Sequence, residues 1–117
     1  MIRTALHFLN ITNNYLAFLR LQGNNKENTE KVTLEFGRGM KGMLSKWPTK
    51  GKEIQILGPV EAPLAKLKGK YRWQILIKTK SAQLLHYFLD RVDHFSKQFF
   101  RNTGVALVID VDPYQML

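Results

Sequence analysis

Residues 66–78 read Lys-Leu-Lys-Gly-Lys-Tyr-Arg-Trp-Gln-Ile-Leu-Ile-Lys. Successive side chains of a strand point to opposite faces. Tyr71, Trp73, Ile75 and Ile77 therefore share one face, and Arg72, Gln74, Leu76 and Lys78 share the other. This alternation predicts a half-buried strand over 70–78. The aromatic and aliphatic set belongs against helices, and the basic set on an open sheet face.

Working outward, Glu53–Leu57 alternates like a strand and ends at Gly58-Pro59, with an irregular loop continuing through Glu61-Ala62-Pro63. Tyr15–Leu21 is apolar on both faces, as in a central strand. In the stretch between them Val32, Phe36, Met40, Met43 and Trp47 recur at helical spacing, with Asn28 or Thr29 as the cap and Pro48 as the stop. Beyond the basic strand, Ser81 caps a second helix whose stripe is Leu84, Leu85, Phe88, Leu89, Val92, Phe95 and Phe99. Asn102 and Gly104 end it. Val105–Val111 is a last strand. The order βαββαβ predicts a ferredoxin-like α+β sandwich with both helices on one sheet face. One domain over 1–117 is expected, with a short lead-in helix within 1–10 before a body over 11–117.

Charge narrows the function classes. The net charge is +9, and residues 41–80 hold ten bases against two acids, Glu53 and Glu61. Positive charge concentrated in this way attracts nucleic acid, anionic membrane or acidic protein tails. A solvated lysine surface is the plainer reading. The chain has no cysteine, which excludes disulfides and thiolate metal sites. No apolar run approaches the roughly 18 residues of a membrane span. The polar start lacks the form of a secretory signal, so a cytoplasmic protein without membrane contact is expected.

Three motifs with chemical potential each have a simpler structural reading. Gly37-Arg-Gly39-Met-Lys-Gly42 matches a dinucleotide-binding spacing, and Gly39–Gly42 a nucleic-acid-clamping one, but both fall late in a helix with no strand before them. A strained or broken helix is expected there, since each glycine costs about 1 kcal/mol against alanine in a helix interior. His86, Asp90 and His94 lie at i, i+4 and i+8, which suits a metal or, more simply, a solvated helix face. Asp110 and Asp112 share a face at the end of a strand. Pairing with lysines across the sheet and a turn at Asp112-Pro113 account for them better than catalysis. No catalytic constellation, cofactor site or metal site is expected. The bases of the hairpin, Lys66, Lys68, Lys70, Arg72, Lys78 and Lys80, are the candidate anion contacts. Trp73 or Tyr71 can stack on unpaired bases only if exposed, whereas the alternation places both in the core.

With these residues in view, Ile56–Lys78 resembles the C-terminal domain of the primosomal replication-restart helicases, the PriA family. The shared elements are Leu57-Gly-Pro, Ala62-Pro, Gly69-Lys, and Arg72-Trp-Gln followed by Leu76-Ile-Lys. Val108–Leu117 resembles the family's closing segment, Tyr15–Gly23 its first strand, and Arg3–Phe8 its lead-in helix. The chain departs from the family at Leu9–Asn14 and at glycines 37, 39 and 42. The resemblance implies a fold like that of a small-subunit ribosomal protein. It also implies one part of an ATP-dependent 3′–5′ DNA helicase whose ATPase motifs are absent here. Such a part would bind branched or single-stranded DNA at stalled forks in the bacterial nucleoid, and would contact single-stranded-DNA-binding protein and other primosome proteins. The alternatives are a protein-interaction module for an acidic tail and an RNA-binding protein of ribosomal type.

Overall fold

The computed structural model describes residues 14–111 and, within them, the side chains of all but 63–67. The elements follow the order β1 (Tyr15–Gly23), α1 (Lys26–Ser45), a 3-10 turn (Gly51–Glu53), β2 (Ile54–Leu67), β3 (Lys70–Thr79), α2 (Ala82–Phe99) and β4 (Val105–Val111). The strands form one sheet in the order β2-β3-β1-β4, every pair antiparallel. This is the expected ferredoxin-like α+β arrangement, with the basic strand β3 beside β1 at the centre. The expected lead-in helix and Asp112 lie outside the described residues.

Period-two alternation decides which residues enter the core. Ala17, Leu19 and Leu21 of β1 face Ile77, Ile75 and Trp73 of β3. Val32, Phe36 and Met40 of α1 and Leu85, Phe88 and Val92 of α2 close over them. Ile75 and Ile77 are fully buried, and Trp73 packs against this cluster from its margin. Leu16, also fully buried, belongs to the alternate register of β1 and lies apart from the cluster.

Three expectations are corrected. The cap of α1 is Asn25, whose side chain accepts from the Asn28 N–H at 2.8 Å. Asn28 instead donates Nδ2–H to the Thr103 carbonyl at 2.7 Å, tying the start of α1 to the approach to β4. Ser81 caps α2 as expected, accepting from Leu84 N–H at 3.2 Å.

Second, β2 does not stop at Leu57. It runs on to Leu67, with register shifts between Leu57 and Val60 and between Glu61 and Lys66. Gly58 takes φ +102°, and the Gly58–Pro59 bond is cis. Proline gives the ladder no N–H, but an edge strand with a bulge tolerates it.

Third, α1 is not broken at its glycines, because two of them are points of close approach. A Cβ on Gly37 would lie 2.9 Å from Pro59 Cγ, and one on Gly39 would lie 2.7 Å from Phe95 Cζ. Hydrogen in place of a side chain lets α1 sit down on the β2 bulge and against α2. The ring of Phe95 is in turn stacked on Phe36, with centroids 5.5 Å apart.

Candidate nucleic-acid interface

The hairpin turn sets where the charges point. Lys68 and Gly69 both have positive φ, 52° and 78°, the geometry of a two-residue turn matched to strand twist. Leu67 then pairs with Lys70, and at the far end Ile54 pairs with Thr79. The six candidate bases divide accordingly. Lys66, Lys68, Lys70 and Arg72 belong to the turn end of the hairpin, and Lys78 and Lys80 to the opposite end. From Lys70 to Lys78 is about 26 Å, at about 3.3 Å per strand residue. The structure therefore brings the first group together and holds the second apart from it.

On the face away from the helices, Arg72 pairs with Gln22, Gln74 with Arg20, Leu76 with Phe18 and Lys78 with Leu16. Arg20 also sits opposite Val108, and Phe18 opposite Asp110. Arg20 is exposed at the middle of this face. Arg20 is masked in the sequence by the apolar residues on both sides of it in β1. The signal was present, since Arg20 is the one charged residue in Tyr15–Leu21 and shares the parity of Arg72 and Lys78 across the ladder. Asp110 is exposed beside Phe18 rather than across from a lysine.

Among the described residues no base of 41–80 forms an ion pair. No acidic side chain among the described residues neutralises their charges. Lys41 is engaged differently, donating from Nζ to the Gly58 carbonyl at 3.2 Å. Arg72 is half-buried, and its Nε is enclosed with no hydrogen-bond partner. It lines a small cavity of about 20 Å³ with Glu30, Glu61 and Trp73. The neck of this side chain is thus held against the protein, whereas Lys68 and Lys80 are exposed and Lys70 and Lys78 are half-exposed.

The other motifs take the following positions in the fold. Glycines 37, 39 and 42 lie inside α1, with hydrogen bonds and packing that leave no free backbone loop to meet a phosphate. His86, Asp90 and His94 are exposed on α2. Among the described residues no group of three or more His, Asp or Glu side chains gathers as a metal site would need. Among the described residues no helix is long and apolar enough to cross a membrane.

Comparison with known proteins bears on the family and the fold. The family model for the primosomal protein N C-terminal domain matches residues 14–114. Replication restart protein PriA of Haemophilus influenzae is 36% identical over 63 residues, which are 54% of this chain and 8% of that protein. PriA of Synechocystis is 31% identical over 98 residues, 84% of this chain and 10% of that protein. The chain thus spans about a tenth of the length of these relatives. Among solved structures, a de novo designed ferredoxin-fold protein superimposes with a TM-score of 0.51 at 8% identity, covering 84% of this chain and 83% of that one. An amidase from Burkholderia phymatum gives 0.59 at 7% identity, over 86% of this chain and 28% of that one. These two share the fold alone. By the span of the family match, the chain belongs to the family of primosomal protein N C-terminal domains.

Proposed function

We propose that the chain is a non-catalytic DNA-binding module of a bacterial replication-restart protein, engaging branched or single-stranded DNA at stalled forks. One observation carries the reading: ten bases concentrated on one hairpin and its flanks, none of the described ones neutralised within the protein. Membership in a family whose relatives are named replication restart proteins supplies the context. Lys66, Lys68, Lys70, Arg72, Lys78 and Lys80 contact phosphates, which fixes the position of a strand without reading its sequence. The catalytic steps of restart belong to other parts of such a protein, acting in the cytoplasm on the nucleoid.

A second reading has its own support. Leu57, Val60 and Val108 are 45%, 52% and 42% exposed, and all three lie on the sheet face away from the helices, the face that carries Arg20. A face that mixes apolar and cationic side chains suits an acidic, partly apolar segment such as the tail of single-stranded-DNA-binding protein.

Binding of forked DNA, single strands and duplex, measured from low to physiological salt, tests the first reading. A slope of log affinity against log salt of about 4–6 in magnitude is expected. A flat response, or no binding at low salt, would refute it. Displacement of bound DNA by an acidic tail peptide then reports whether the two ligands share the face.

A further inference from the structure

The lysines at the far end of the hairpin have company. Lys46, Lys50, Lys52 and Lys80 are all exposed. They cluster in sequence around the junction where α1 ends, β2 begins and α2 starts. A cavity of about 430 Å³ opens there, lined by Trp47, Lys50, Glu53, Gln83, Leu84 and Tyr87 among others. Each of the four lysines either lines this cavity or is the sequence neighbour of a lining residue.

Two of its lining residues, Trp47 and Tyr87, are aromatic. The Trp47 and Tyr87 rings lie 5.2 Å apart between centroids, tilted by 54°. Trp47 is anchored: it packs against the core, and its backbone bridges Leu44 and Gly51 through hydrogen bonds of 3.0 and 2.7 Å. Tyr87 is 52% exposed, and the Arg91 guanidinium stands 6.0 Å from its centroid. The cavity volume is in the range of small-ligand sites, which are mostly apolar with a few converging polar groups.

We propose that this cavity receives one unpaired nucleobase of a nucleic-acid strand, stacked on the Tyr87–Trp47 pair. Lys50, with Lys80 and Lys52 at the rim, takes the flanking phosphates. Aromatic rings beside a cationic track are the means by which single strands are held without sequence preference. Gln83 and Glu53 offer an amide and a carboxylate to the edge of the base. A duplex presents no free base face and cannot enter. The proposal rests on the nucleic-acid reading above and sharpens it: the far end of the hairpin selects unpaired strand, while the turn end meets phosphates of either form.

The test uses the 117-residue chain, a single-stranded oligothymidylate and a blunt duplex of equal length. The single strand is expected to quench tryptophan emission and the duplex to leave it unchanged, with the quenching lost in Trp47→Phe. Tyr87→Ala is expected to weaken single-strand binding about tenfold and leave duplex binding unaltered, whereas Tyr87→Phe retains both. Tyr87 is exposed enough for truncation to leave the fold intact, which near-ultraviolet circular dichroism checks. Equal losses for the two DNA forms, no loss for either, or quenching that survives Trp47→Phe would each overturn the proposal while leaving DNA binding standing. Wild-type protein that binds neither DNA would remove the nucleic-acid reading and this site with it. Quenching by an acidic apolar peptide but not by the oligonucleotide would give the cavity to a protein partner and overturn it too.

Discussion

Three glycines in one helix allow a stability prediction with an internal control. Gly37, Gly39 and Gly42 all lie within α1, so replacing any of them by alanine gains the same helix propensity, about 1 kcal/mol. What differs is the space a methyl group would enter. At Gly42 nothing lies within 4 Å, and the propensity gain should appear almost whole. At Gly39 the new Cβ would meet Phe95 Cζ at 2.7 Å, roughly 1 Å inside an ordinary carbon contact. Phe95 is half-buried, but its ring is confined by Phe36 and by Phe99, 5.2 Å away between centroids. At Gly37 the obstacle is the Pro59 ring, at 2.9 and 3.0 Å. That ring sits in the β2 bulge and has no rotamer through which to swing clear.

Overpacking of this kind costs about 1–3 kcal/mol. Against the common gain, Gly42→Ala should stabilise by about 1 kcal/mol. Gly39→Ala should fall near neutral or lose about 1 kcal/mol, and Gly37→Ala should lose about 1–2 kcal/mol. Thermal unfolding followed by circular dichroism resolves the series, since 1 kcal/mol moves the midpoint by about 4 °C for a domain near this size. Equal rises for all three variants would show that α1 does not depend on close approach at either site. A drop for Gly42→Ala would show that its Cα faces a constraint the fold does not account for.

Other predictions follow from single contacts. Asn25→Ala should lose about 1 kcal/mol of stability in urea unfolding through the cap of α1, whereas Thr29→Ser, which keeps the hydroxyl bonded to the Asn25 carbonyl, should lose less; the reverse order would misplace the cap. Arg20→Ala should weaken DNA binding and lower the magnitude of its salt slope by roughly 0.7–0.9 with an unchanged circular dichroism spectrum, and an unaltered slope would remove the open face from the interface. Trp73→Ala should destabilise by about 3 kcal/mol, because its ring packs against the core; a variant of full stability that has lost only DNA binding would make Trp73 a contact residue instead.

The strand at 70–78 was legible because its pattern is local. Period-two alternation assigned Ile75 and Ile77 to the core without reference to any partner. The helices were legible for the same reason, through the Val32–Phe36–Met40 and Leu85–Phe88–Val92 stripes. The glycines of α1 were not, since the atoms that require them, Pro59 and Phe95, are 22 and 56 residues away in the chain. No window of sequence contains both sides of those contacts. The continuation of β2 was hidden by a true signal with the wrong consequence. Gly58-Pro59 does interrupt the ladder, but on an edge strand an interruption becomes a bulge rather than an end. The cap of α1 was misassigned because Asn24, Asn25, Asn28 and Thr29 all carry side chains that favour an N-cap. The folded backbone puts the Asn25 side chain on the Asn28 N–H, while the side chain of Asn28 is drawn off by the long-range tie to Thr103.

The same distinction governs the candidate site. Read as sequence, the basic segment is one patch of +8; folded, most of its bases fall at the two opposite ends of a hairpin, with Lys41 tied to the Gly58 carbonyl between them and Arg20 contributed from a neighbouring strand. Two clusters about 26 Å apart lie farther from each other than two or three Debye lengths of physiological salt, each about 8 Å. Beyond that range each group of lysines is screened from the other and attracts anions on its own account. A compact anion can satisfy only one end, and only an extended polyanion can engage both. Net charge alone does not distinguish a nucleic-acid strand from an acidic tail. Its division between the two ends of the hairpin, with the turn lysines at one end and the cavity at Trp47 and Tyr87 beside the other, suits the proposed reading of a strand long enough to reach from one to the other.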